Sequence, residues 1–259
     1  MRAILRGARL ILHLCTGVAL VLLVTLDWSG RIAPEPLTRW WNARLLKILN
    51  VRLRLRGQPP PQGAQLVVCN HISWLDISVI ASSQLTRFVS KAEVGSWPIA
   101  GWLANAAGTF YIRRGAGGTK QLIQALAAHL RGGGAVTLFP EGTTTEGGGM
   151  LKFQPRLFAA AIDSGSPVQP VALRYGHAAN GENIAAFVGD ETLTHNLRRL
   201  LRERELTVEL TWCAPIQPQA GQDRTALAQA AHAAICAIVA PGQLPAATRE
   251  IEERESLAA

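Results

Sequence analysis

Asn70-His71, with Asp76 five positions after the histidine, stands out in Val67-Val-Cys-Asn-His-Ile-Ser-Trp-Leu-Asp76 as a pattern suited to proton chemistry. An imidazole with an unperturbed pKa of about 6.5 can take a proton near neutrality, and a carboxylate at its other nitrogen fixes the tautomer and stabilises the cation. These groups make two-thirds of a Ser-His-Asp arrangement. No G-x-S-x-G elbow accompanies them, so the missing nucleophile would be the substrate's own hydroxyl. Taken alone, the pair also reads as a helix-capping Asn with an incidental His and Asp.

Two further polar strand ends follow in order. Gly108-Thr-Phe-Tyr-Ile-Arg-Arg114 ends in two cations, and Phe139-Pro-Glu-Gly-Thr143 ends in a carboxylate, a glycine and a hydroxyl. By themselves these read as a solvated strand end and a turn. Lys91 closes another strand and reads as an added positive potential or a solvated lysine. Cys15, Cys69, Cys213 and Cys236 form no C-x-x-C pair, so neither a zinc site nor a dense disulfide framework is expected. Four buried thiols in a reducing compartment, Cys69 among them in an apolar strand, are the expectation.

Short apolar runs alternating with amphipathic stretches must position these residues. Strands are predicted at 65–69, 87–90, 109–112, 135–139, 168–173, 185–188 and 206–212. Helices are predicted at about 73–83, 96–106, 118–131, 154–164, 191–202 and 222–239. Interleaving of this kind predicts an α/β fold with a largely parallel central sheet flanked by helices.

The 259 residues carry a net charge of +8, with 48% hydrophobic and 17% charged residues, which excludes a disordered chain. Residues 1–56 hold ten basic groups against Asp27 and Glu35, so the body is neutral and a nucleic-acid-binding role is disfavoured. Leu10 to Leu26 is an uncharged run that would reach about 26 Å as a helix, just short of a roughly 30 Å hydrocarbon layer. A signal peptide is the competing reading, but no small-x-small cleavage site follows. Next, Leu37, Trp41, Leu45 and Leu49 fall four apart among Arg39, Arg44 and Lys47, as in a helix seated among lipid headgroups or one packed on the main domain. The predicted organisation is a membrane-anchoring helical region at 1–56, a main domain at 57–248 and a charged tail at 249–259.

With these blocks in order, the chain resembles the PlsC family of glycerolipid acyltransferases, typified by 1-acyl-sn-glycerol-3-phosphate acyltransferase. Asn70-His71-x4-Asp76 resembles its first block, Gly108 to Arg114 the second, Phe139 to Thr143 the third and Pro167-Val-Gln-Pro-Val171 the fourth. The resemblance covers roughly 65–215. Arg113 and Thr144 depart from the residues common in the family, which puts the acceptor headgroup in doubt and leaves the catalytic pair intact.

The resemblance implies acyl transfer from acyl-CoA or acyl-carrier protein to the free sn-2 hydroxyl of 1-acylglycerol-3-phosphate, giving phosphatidic acid. His71 would be the general base and Asp76 its orienting carboxylate. Arg114, with Thr143 and Arg113, would hold the phosphate, and Glu141 would bind the glycerol hydroxyl or position Arg114. Backbone N–H groups near Asn70 and Gly142 would stabilise the oxyanion. Neither metal nor cofactor is expected. The partners would be a membrane lipid surface, a lysophospholipid acceptor and the thioester donor, at the cytoplasmic face of the cell membrane. A lyso-ornithine lipid or other lysophospholipid acceptor and a non-catalytic membrane-binding module remain as alternatives.

Overall fold

A computed structural model describes residues 2–112, 118–178, 181–219 and 221–243. Arg113, Arg114 and the tail at 249–259 lie outside the described residues. Seven strands form one sheet: β1 (Val51–Arg56), β2 (Gln65–Cys69), β3 (Arg87–Lys91), β4 (Phe110–Ile112), β5 (Ala135–Leu138), β6 (Val168–Tyr175) and β7 (Leu206–Trp212). Their order is β1-β7-β6-β2-β5-β3-β4, and every pairing is parallel except β6 with β7.

Alternation along the strands sends side chains to two helical layers. Leu66 and Val68 of β2 face a core shared with α5 (Gly118–Arg131), α6 (Ala159–Ser164) and α8 (Arg224–Val239). Val67 and Cys69 face the other core, with α2 (Pro34–Ile48), α3 (Leu75–Ser83) and α7 (Leu193–Arg202). Because β2 lies between β5 and β6, the loops leaving its carboxyl end and that of β5 emerge side by side, the usual place for an α/β ligand site.

The remaining helices are α1 (Arg2–Leu26) and α4 (Ala100–Ala106). α1 is long and apolar enough to cross a membrane. One of its faces is held on the protein. Arg6 donates to the carbonyls of Leu201, Glu203 and Arg204, and His13 stacks on Trp41 with ring centroids 4.3 Å apart. Gly17 allows this approach, since a Cβ there would lie 2.8 Å from Trp41 Nε1. The opposite face exposes Ile4, Ile11, Leu12, Leu22, Leu23 and Leu26, where a helix facing water would carry polar residues.

Several expectations are corrected. β1 belongs to the sheet, whereas its residues fall in the predicted anchoring region; Arg52 and Arg56, counted among that region's ten basic groups, pair with Glu205 and Glu209, each at 2.9 Å. Residues 185–188 form no strand. They make a strap in which Phe187 N–H reaches Ile72 O at 2.9 Å, while Ala186 O accepts from Asn196 and Arg199. The helices expected at 96–106 and 154–164 are each broken, with 3-10 turns at Ala92–Ser96 and Pro155–Phe158 preceding α4 and α6. Leu45 and Leu46 of α2, with Leu49 just after its end, are buried in the core beside α3, leaving Trp40 as the exposed aromatic of that helix. Cys69 and Cys236 are buried, but Cys213 is partly exposed and Cys15 exposed.

Phe158 is fully buried in the first core and packs against Phe153, at the end of the loop leaving β5. Its replacement by Ala is expected to lower unfolding stability by about 3–5 kcal/mol, measured by denaturant titration.

Candidate active site

Asp76 has no solvent exposure and stands in the first turn of α3. Its Oδ2 accepts from the Ile72 and Ser73 backbone N–H groups at 2.8 and 3.0 Å and lies 2.8 Å from His71 Nδ1. Its Oδ1 accepts from the Tyr175 hydroxyl at 2.6 Å. A carboxylate ringed by donors takes a hydrogen from Nδ1, which leaves Nε2 with its lone pair directed away from Asp76. The His71 side chain is 19% exposed, and its ring stacks on Phe139 at 4.0 Å. A basic nitrogen thus reaches the surface while its partner stays buried.

Tyr175 was missed in the sequence. The strand predicted at 168–173 stops short of it, whereas β6 runs on to Tyr175, and a buried tyrosine must find a partner for its hydroxyl. Burial, followed by the facing Asp76 carboxylate, pushes the Tyr175 pKa well above 10.0, so it remains a donor.

Glu141 has a structural task of its own. It is buried, and its Oε1 accepts from His71 N–H at 2.8 Å while Oε2 accepts from Leu151 N–H at 2.9 Å. Both oxygens hold backbone, so the residue clamps the β5 loop onto the histidine loop. Burial raises its pKa, and the two N–H donors work against that rise. Thr145 N–H completes the clamp by donating to His71 O at 2.8 Å.

The other expected site residues divide. Asn70 is buried, and its amide exchanges two hydrogen bonds with the backbone of Leu173, at 2.9 and 2.8 Å, extending the β2–β6 pairing by a side-chain rung. Gly142 N–H donates to Phe139 O, and His71 N–H is held by Glu141, so these two amides are already engaged. Thr143 is exposed beside them, and Lys91 ends β3 exposed to water. Cys69 is a core thiol whose pKa burial pushes up well above 9.0, which suits packing and not nucleophilic attack. Among the described residues, no group of three or more His, Cys, Asp and Glu could hold a metal ion.

A partly exposed imidazole oriented by a buried carboxylate, with no side-chain nucleophile bonded to it among the described residues, is suited to activating a substrate hydroxyl, as acyl transfer requires. The acyltransferase family profile matches residues 50–174. A lyso-ornithine lipid O-acyltransferase from Pseudomonas aeruginosa is 41% identical over 240 residues, 91% of this chain and 92% of that protein. A 1-acyl-sn-glycerol-3-phosphate acyltransferase from Neisseria gonorrhoeae is 33% identical over 198 residues, 75% of this chain and 77% of that one. The crystal structure of the 1-acyl-sn-glycerophosphate acyltransferase PlsC from Thermotoga maritima superposes with a TM-score of 0.65 at 18% identity, covering 95% of this chain and all of that one. The chain belongs to the PlsC-like acyltransferase family and is an acyltransferase of lipid biosynthesis.

Glu141→Gln sets an amide N–H₂ against one of two backbone donors, so a loss of about 1–3 kcal/mol in stability is expected, read by thermal unfolding. Tyr175→Phe leaves Asp76 Oδ1 buried without its donor and is expected to cost a similar amount, about 1–3 kcal/mol, in the same measurement.

Proposed function

We propose that this protein acylates the free hydroxyl of a lyso-ornithine lipid, drawing the acyl group from acyl-CoA or acyl-carrier protein. The His71–Asp76 contact of 2.8 Å, with Nε2 left at the surface, carries the chemical part of this reading. His71 Nε2 takes the proton of the acceptor hydroxyl while Asp76 stabilises the imidazolium. The acceptor oxygen bonds to the thioester carbonyl carbon, the carbon–sulfur bond breaks, and the imidazolium returns its proton to the leaving thiolate. The scheme uses side chains of the chain alone. The greater identity and coverage of the lyso-ornithine relative support the acceptor.

Arg114 and Arg113, with exposed Thr143, are proposed to receive the acceptor headgroup. An ornithine headgroup offers a carboxylate and an amine in place of phosphate, so the guanidinium contribution is smaller. The second reading, 1-acylglycerol-3-phosphate as acceptor, is favoured by this arginine pair, since guanidinium matches phosphate through paired hydrogen bonds. In either case the apolar outer face of α1 is proposed to rest in the cytoplasmic leaflet of the cell membrane, holding the enzyme monotopically beside its acceptor.

Purified protein in vesicles, given labelled acyl-CoA or acyl-carrier protein and each lyso-lipid in turn, tests the reading. Acylated ornithine lipid is the expected product, and His71→Ala should lower turnover by roughly two or more orders of magnitude. Arg114→Ala should reduce turnover less with lyso-ornithine lipid than with 1-acylglycerol-3-phosphate. A higher kcat/KM for 1-acylglycerol-3-phosphate would replace the acceptor assignment. Equal product from wild type and His71→Ala would overturn the base.

A further inference from the structure

Between β3 and β4 the chain makes an outward tip that the acyl-transfer chemistry does not use. Trp97, Ile99 and Trp102 are 46%, 49% and 39% exposed, so three large apolar side chains within six residues face outward. The tip is built. Ala100 N–H donates to Pro98 O at 2.6 Å across Ile99, which has φ 61 and ψ −59. That is a γ-turn of the rarer, strained hand, and positive φ is most unusual for a β-branched residue. Behind it α4 folds tightly onto the 3-10 turn at Ala92–Ser96. A Cβ on Gly101 would meet Gly95 O at 2.4 Å, so glycine is needed there. Strain and a close backbone approach are thus spent on keeping a β-branched residue and two indoles outside the core.

The tip is not isolated, because α4 packs against α1, whose outer face carries the apolar stripe described above. Tryptophan suits the boundary between hydrocarbon and headgroups, where the ring is buried and its N–H stays wet. Exposed apolar side chains clustered in this way mark an interaction site.

We propose that Trp97, Ile99 and Trp102 form a second membrane-inserting element that enters the same lipid leaflet as α1. The inference rests on the reading that α1 is seated in lipid. The bilayer is preferred over a second copy of the chain because α4 packs against α1, the helix with the exposed apolar stripe, and because the proposed acceptor itself resides in the membrane. With two contacts set apart in sequence, the enzyme is fixed in tilt as well as in depth.

Full-length protein carrying Cys15→Ser is labelled with an environment-sensitive dye at Ile99→Cys or, separately, at Leu22→Cys; protein with Cys15→Ser alone gives the background. Each is mixed with phosphatidylglycerol–phosphatidylethanolamine vesicles containing bromine-labelled acyl chains. Quenching at both positions is expected. Quenching at Leu22→Cys alone overturns the proposal and leaves the α1 reading standing, and quenching at neither removes both. A dye at Ile99→Cys that is shielded without vesicles and exposed on dilution would assign the tip to a second copy and overturn the proposal. As an independent measurement, Trp97→Ser with Trp102→Ser should weaken vesicle binding by about tenfold or more, from the apolar area removed. Turnover of acceptor dispersed in detergent micelles should be unchanged. Undiminished vesicle binding by a folded double variant would likewise overturn the proposal.

Discussion

Burying Asp76 sets the terms for everything around it. A carboxylate with no access to water is costly unless its lone pairs are met, and here Ile72, Ser73, His71 and Tyr175 meet them from the β2–α3 loop and the far end of β6. Four donors from two stretches of chain can converge on one carboxyl group only if the loop wraps tightly and β6 lies beside β2. Glu141 repeats the device one strand away, fixing His71 and Leu151 by their backbone. Among the described residues, both buried anions are satisfied by neutral donors and the histidine. The imidazole is therefore held before any substrate arrives, and preorganisation of that kind is what acid–base chemistry requires.

Much of this could be read from sequence because it depends on local pattern. Asn70, His71 and Asp76 are close in sequence, and the alternation in β2 and the helix-length spacing of α5 follow from elementary periodicities. What escaped depends on distant partners. β1 alternates Val51, Leu53 and Leu55 with three arginines, a recognisable strand pattern, but its place in a sheet is settled by β7, far along the chain. Residues 185–188 have strand-like composition, yet their hydrogen bonds go to the histidine loop and α7. That Glu141 accepts from the backbone amides of His71 and Leu151 is likewise visible only in the fold, which brings these separated stretches together.

The basic N-terminal region shows how a net charge can mislead. Arg6 lies on the last carbonyls at the end of α7 and Arg39 on Ser82 O at the end of α3, where helix dipoles favour cations. Arg52 and Arg56 are matched by glutamates on β7. Part of the charge that reads as attraction to anionic lipid is therefore structural, joining α1 and β1 to the main domain. Trp40 stays exposed at the surface, with Arg44 above its ring at 5.4 Å.

The pairing of β1 with β7 alone also has a consequence for biosynthesis. Val51 sits opposite Leu206, about 155 positions later, and Arg6 binds carbonyls at 201–204. As the ribosome delivers the chain from its N-terminus, α2 follows α1 at once and supplies Trp41 for His13, but the carbonyls that hold Arg6 and the strand that pairs with β1 are made much later. Throughout that interval the apolar stripe of α1 stays exposed, and its inner face is covered by α2 but not yet by the end of α7. The contacts that fasten the N-terminal region to the sheet are therefore among the last to close, and β1 takes its edge position only once β7 is complete.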